Sequence, residues 1–141
     1  MDMPDPILNV EGLRVAYGTK EVLQGIDYHI SEGEVVSILG ANGSGKSTSI
    51  NAVSGFVPAK AGRITYQGKD ITNLSAHKIF GHGIIQVSQA RDLFPFLTVE
   101  HNLRLGGVIR NRKQAEQTLD KVFEYFPRLK ERRKQLARTL S

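Results

Sequence analysis

The octapeptide Gly40-Ala41-Asn42-Gly43-Ser44-Gly45-Lys46-Ser47 constrains this chain more than any other stretch. It follows the apolar run Glu34-Val35-Val36-Ser37-Ile38-Leu39 and precedes a segment in which Ile50, Val53 and Phe56 recur every third residue. The order reads as a strand covered on both faces, a tight loop and a helix, with Gly55 placed to stop the helix. Glycine reaches φ > 0 and carries no Cβ, so successive backbone N–H groups in such a loop can converge on phosphate oxygens. A helix starting near Lys46 adds its unpaired N–H groups and its positive dipole end. In that arrangement Lys46 reaches the β and γ phosphates of a nucleotide and the Ser47 hydroxyl ligates Mg²⁺. The pattern arises by chance in roughly 0.5% of chains of this length. Its place between a strand and a helix is what the mechanism requires.

The rest of the chain supplies a frame for this loop. Residues 7–30 read as two half-buried strands, with Leu13, Val15 and Tyr17 on one parity and Ile26, Tyr28 and Ile30 on another, turning at Gly18-Thr19-Lys20. A further strand is expected at Gly62–Gln67, a helical turn at Ser75–Phe80 and a buried strand at Ile84–Ser88. Thr98 caps a helix that Gly106-Gly107 ends. Ala115, Leu119, Val122, Phe123 and Phe126 share one helical face that Pro127 terminates, and Leu129, Leu136 and Leu140 predict one more helix.

Composition excludes several classes. With 40% hydrophobic and 23% charged residues the chain is neither disordered nor fibrous. The absence of cysteine removes disulfides, thiolate catalysis and Cys-zinc sites. No apolar run suits a membrane span and no signal-peptide layout opens the sequence, so a soluble, cytoplasmic chain is expected. The net charge of +5 is uneven: residues 110–138 hold ten basic and four acidic side chains. Such a segment fits a solvated helix face or a phosphate- or nucleic-acid-binding surface. Interleaved aromatics would favour the latter, but Phe123 and Phe126 fall on the apolar face and leave only Tyr125 spare.

Two more residues bear on the loop. Tyr17, 23 positions before Gly40, can either stack an adenine or complete the core of its strand. Gln89, at the exit of the Ile84–Ser88 run, is either solvated or placed to reach a metal or an attacking water. The base-reading Asn-Lys-x-Asp and the Asp-x-x-Gly switch of GTPases are absent from these residues. The four histidines, His29, His77, His82 and His101, have no metal-site spacing.

With these stretches the chain resembles, over its whole length, the N-terminal part of an ABC-transporter ATPase subunit. The similarity is greatest to the smaller ATP-binding subunit of branched-chain amino acid importers. It is carried by Val15-Ala16-Tyr17-Gly18, Gly33-Glu34-Val35-Val36, the glycine loop, Asp70-Ile71-Thr72-Asn73-Leu74, Leu93–Glu100 and Tyr125–Arg132. Urea and amide importers share much of this pattern, and a non-transport ABC ATPase is a further alternative. The resemblance implies an α/β P-loop NTPase fold. It divides the chain into a mainly antiparallel β part (1–33), a P-loop core running to the Q-loop (34–89) and the start of a helical subdomain (90–141).

The resemblance also implies that Tyr17 is the adenine-stacking aromatic. It makes Gly40, Asn42, Gly43, Ser44, Gly45, Lys46, Ser47 and Thr48 the Walker A phosphate site, with Lys46 catalytic. Gln89 becomes the Q-loop glutamine, catalytic and a metal contact beside Ser47. Ser88 and Ala90 depart from the usual proline and glycine around it. The implied cofactors are ATP and Mg²⁺. The implied partners are a second ATPase subunit, transmembrane permease subunits and, indirectly, a solute-binding protein, with no nucleic acid. The implied location is the cytoplasmic face of the cell membrane.

A complete ABC ATPase also carries a Leu-Ser-Gly-Gly signature, a Walker B strand ending in Asp-Glu and a switch histidine. Here no four apolar residues precede an Asp, and Leu140-Ser141 match only the opening of the signature. The resemblance thus implies a truncated subunit with weak nucleotide binding, negligible hydrolysis alone and exposed apolar strand edges.

Overall fold

The structure is a computed structural model that describes residues 6–88 and 93–140. It divides into two units, residues 1–86 and 87–141.

The first unit is built on an antiparallel sheet of order β2-β1-β3-β4: β1 (Leu8–Tyr17), β2 (Lys20–Ile30), β3 (Ala61–Tyr66) and β4 (Lys69–Asp70). β1 and β2 form the expected hairpin, closing at the Tyr17–Lys20 pair. The alternation along β1 is interrupted between Val10 and Leu13, where Gly12 turns to φ +55° and its N–H donates to Asp27 Oδ1 at 2.6 Å. That shift lets Val10, Leu13 and Val15 all face the core. Tyr17, expected to continue their parity, is half exposed at the strand's end.

The helix α1 (Lys46–Val53) packs on the sheet through Ala52 and Val53, joined in the core by Leu8, Leu23, Ile64 and Ile71. Ile50 and Phe56, predicted to mark its inner face, are exposed; Thr48, Ser49, Ala52 and Val53 are buried instead. Small side chains are what a short helix needs to lie close to a sheet. Gly55, at φ +74°, ends the helix as expected, and a Cβ there would meet Leu74 O at 2.6 Å. The helix α2 (Ala76–Gly81) buries Ile79.

The two apolar runs expected as buried strands are not strands. Residues 34–40 and 84–88 form no ladder, and Val35 (94%), Leu39 (88%) and Val87 (92%) are almost fully exposed. A continuous apolar strand needs neighbours on both edges and cover on both faces. Among the described residues the sheet supplies neither to these segments. Apolar surface is exposed here as expected, but on irregular segments rather than on strand edges.

The second unit contains α3 (Val99–Leu105), α4 (Arg112–Tyr125) and α5 (Pro127–Glu131), followed by one turn of 3-10 helix at Ala137–Thr139. Thr98 caps α3 as expected, its Oγ1 accepting the His101 N–H at 3.2 Å. Val99, Leu119, Phe123 and Ala137 are buried. Phe126, placed by spacing on the buried face of α4, is 58% exposed, because it falls where the helix has ended, at φ −128° and ψ 73°. The helix predicted through Leu129, Leu136 and Leu140 is replaced by α5, a turn at 132–134 and a short strap bridged at Leu136 that leads into the 3-10 turn. The strap hydrogen-bonds the segment before α3: Val99 N–H donates to Gln135 O at 2.9 Å and Ala137 N–H to Leu97 O at 2.9 Å. Among the described residues no helix is long and apolar enough to cross a membrane.

Candidate phosphate-binding site

The glycine loop runs from the unpaired 34–40 segment into α1, so its two ends are a chain with no strand partner and a helix fixed on the sheet. Gly45, at the N-cap of α1, has φ +96°, and a Cβ built on it would lie 2.6 Å from Leu23 Cδ2. Its left-handed conformation favours glycine, and a side chain there would also have to displace the Leu23 side chain of β2. The loop is seated on β2, one arm of the hairpin whose other arm ends at Tyr17.

The first hydrogen bond of α1 runs from Ser49 N–H to Gly45 O at 2.9 Å. The N–H groups of Gly45, Lys46, Ser47 and Thr48 precede it and have no acceptor among the described residues, as in the first turn of any helix. Ser44 N–H closes a turn onto Ala41 O at 3.2 Å. Lys46 Nζ folds back over the loop and donates to Gly40 O and Ala41 O, both at 2.8 Å. The loop thus carries a row of backbone donors at a helix start beside one ammonium, the groups by which such a turn binds an anion. Gly40 also approaches its own loop closely, since a Cβ there would fall 2.6 Å from Ser44 Oγ.

The remaining predicted residues stand as follows. Asn42, Gly43, Ser44 and Ser47 are exposed on the loop and first turn, and Thr48 is buried at 8%. The exposed Ser47 hydroxyl is free to meet a metal held by phosphates. Among the described residues no three acidic or histidine side chains cluster to hold a metal by themselves. Gln89 and Ala90 lie outside the described residues. A cavity of about 370 Å³ lies against the loop, lined by Leu23, Tyr28, Val36, Leu39, Lys46 and Ser49 among others. A larger cavity, about 510 Å³, lies in the second unit between α3 and α4. Its Arg104 and Glu116 satisfy each other at 2.5 Å, and the Thr118 hydroxyl on its wall donates to Gln114 O at 2.8 Å.

Sequence reasoning missed Ser49, which is 1% exposed and shares a 2.9 Å hydrogen bond with the Tyr28 hydroxyl. It also missed Asn51, whose Oδ1 accepts from Gln86 Nε2 at 2.9 Å. The available signal was a third hydroxyl residue in succession after Lys46, at a position where the helix turns inward.

A family profile described as ABC transporter matches residues 23–141. The chain belongs to that family. Among its relatives is the high-affinity branched-chain amino acid transport ATP-binding protein BraG of Pseudomonas aeruginosa, 37% identical over 135 residues, which cover 96% of this chain and 58% of that protein. The Fe(3+) ions import ATP-binding protein FbpC of Streptomyces coelicolor is 39% identical over 115 residues, 82% of this chain and 32% of that protein. Among solved structures, a nucleotide-free ATP-binding cassette from an ABC transporter superposes with a TM-score of 0.81 at 29% identity, covering 96% of this chain and 59% of the cassette. This ABC transporter chain therefore spans about three-fifths of the length of BraG and of that cassette (58% and 59%).

Proposed function

We propose that this ABC transporter chain binds Mg²⁺-ATP at Gly40–Thr48 as part of the ATPase subunit of an importer for branched-chain amino acids. One observation carries the reading: the unpaired N–H groups of the first turn of α1 and the Lys46 ammonium meet on a single glycine loop. ATP supplies the triphosphate that carries Mg²⁺, and this chain's residues bind and orient it. Lys46 exchanges its two carbonyl acceptors for β- and γ-phosphate oxygens, trading neutral partners for charged ones. Ser47 contributes its hydroxyl to the metal, and Thr48 extends the cradle toward the α-phosphate. Tyr17 offers its half-exposed ring to the adenine. Gln89 would reach the metal or the attacking water.

The solute class is supported by BraG, the branched-chain amino acid protein matched along 96% of this chain, and by the 36% identity to the probable branched-chain amino acid transport protein LivG of Methanocaldococcus jannaschii. A second ATPase subunit, permease subunits, a solute-binding protein and a position on the cytoplasmic face of the membrane belong to the same proposal.

Titration with a fluorescent ATP analogue in the presence of Mg²⁺ tests it. Saturable binding is expected, falling at least tenfold in Lys46→Ala, since a charged hydrogen-bond partner is worth about 1.5–3 kcal/mol. Hydrolysis by the 141-residue chain is expected to be negligible, because no acidic residue ends an apolar strand to anchor the metal. ATPase activity that disappears in Lys46→Ala would overturn that second expectation.

A further inference from the structure

The helix that carries Lys46 and Ser47 is held by two side-chain hydrogen bonds that phosphate chemistry does not require. From β2, the Tyr28 hydroxyl meets Ser49 Oγ at 2.9 Å. Burial raises the pKa of this phenol, with the Ser49 hydrogen bond partly opposing, so the hydroxyl keeps its proton. From the other direction, Gln86 Nε2 donates to Asn51 Oδ1 at 2.9 Å, with the Gln86 Oε1 buried beside it. Ser49 and Asn51 are two positions apart, which places them about 200° apart around the helix axis, on nearly opposite sides.

The difference between these bonds and the apolar contacts of Ala52 and Val53 is directional. Burial of apolar surface does not depend on orientation and leaves a short helix free to roll on its sheet. A hydrogen bond weakens steeply when its geometry is lost. Two such bonds on opposite sides of an eight-residue helix fix both its rotation and its position along the axis. The first-turn N–H groups, Lys46 and Ser47 point where that rotation sends them. A misplacement on the scale of 1 Å is enough to degrade a binding constellation.

We propose that Tyr28–Ser49 and Asn51–Gln86 are two positioning pairs that aim the phosphate-binding turn of α1. They act through the helix. The inference rests on the nucleotide-binding reading above. It assigns to this chain a way of orienting the helix that neither the glycine loop nor the lysine contains.

Affinity for the fluorescent ATP analogue with Mg²⁺ is measured on the full chain for Tyr28→Phe, Ser49→Ala and their double variant, and likewise for Asn51→Ala, Gln86→Ala and their double. Melting temperatures are recorded in parallel. Each single substitution is expected to weaken binding by the folded protein about threefold to tenfold, the scale of one hydrogen bond. Each double is expected to lose no more than its worse single, because either change breaks the same bond. Unchanged affinity with a lowered melting temperature would make the pairs structural only and overturn the inference, as would additive losses within a pair. Tyr28→Phe removes one oxygen and keeps the ring, so it stays informative if Ser49→Ala does not fold, and the half-buried Asn51–Gln86 pair tests the same idea independently. Binding by the wild type that Lys46→Ala leaves intact would overturn the nucleotide site itself, and this inference with it. Lys46-dependent binding that ignores both pairs would overturn the inference alone.

Discussion

Gly45 and Gly43 occupy the same loop at similar left-handed angles, φ +96° and φ +83°, yet they answer different demands. At Gly43 a Cβ would point into open space, so only backbone strain opposes a substitution, about 1–2 kcal/mol. At Gly45 the same strain is joined by a 2.6 Å approach to Leu23 Cδ2 of β2, a side-chain end in the packed core that would have to shift. Gly45→Ala is therefore expected to cost more stability than Gly43→Ala and to weaken ATP-analogue binding at least tenfold. Urea unfolding and fluorescence titration of the two variants side by side check this. Equal effects would mean that strain, not the contact with β2, governs the position. The octapeptide was legible in the sequence because its constraint is local: the chemistry and the spacing lie within eight residues. Asn102 was not legible. Its side chain accepts the Phe94 N–H at 2.9 Å and donates to Phe94 O and Thr98 O, both at 3.0 Å, clamping the segment before α3. Nothing in the local sequence marks it, because its partners are backbone groups whose position only the folded loop defines.

At the scale of elements, the hairpin of β1 and β2 could be read from alternation, since one face of each strand meets the core. The α1 helix was legible as a helix but not in its orientation. A recurrence every three residues marks a face, and the sheet decides which face is buried. The strap at 133–138 escaped for a related reason: leucines four and seven apart fit a helix, while turns at 132–134 and backbone bonds to 95–100 hold the segment out of one. Between α3 and α4 the link is ionic. Arg104 donates to Glu100 at 2.9 Å and to Glu116 at 2.5 Å. Hydrogen bonds from Arg104 hold the Glu116 carboxyl below its usual pKa of 4.5, and the same carboxylates push the guanidinium upward. A carboxylate with a depressed folded pKa stabilises the fold above its unfolded value and loses that contribution as pH falls through the folded one. Glu116→Gln is accordingly expected to lower the melting temperature near neutral pH and to make its decline below pH 4.5 shallower. A thermal-melt series from pH 7 to pH 3 checks this. An acid decline as steep as that of the wild type would assign the effect to other carboxylates, such as Asp70 beside Thr72 and Arg63.

For the molecule as a whole, two opposing quantities decide whether it stays monomeric. Val35, Leu39 and Ile85 in the first unit are 94%, 88% and 71% exposed, on segments whose backbone groups enter no ladder. Burying an aliphatic side chain of this kind contributes about 1.5–3 kcal/mol, and extended backbone is a ready template for strand pairing. Against this stands a net charge of +5. That charge is concentrated in residues 110–138, where ten basic side chains face four acidic ones, and the rest of the chain sums to about −1. The repulsion therefore originates away in sequence from the apolar segments, and it is screened over about 10 Å at 0.1 M salt. Apolar association should win. The chain is expected to self-associate with rising concentration in sedimentation velocity, more strongly at 0.5 M than at 0.05 M salt. Val35→Lys with Leu39→Lys should restore the monomer by placing charge on the pairing edge, as natural edge strands do. If repulsion dominated instead, added salt would still promote association, so the salt response alone does not separate the two. The double lysine variant does, because two charges at positions 35 and 39 disrupt pairing there far more than they alter the charge of the whole chain. A wild type that remains monomeric at 0.5 M salt would show that these exposed segments do not act as pairing edges.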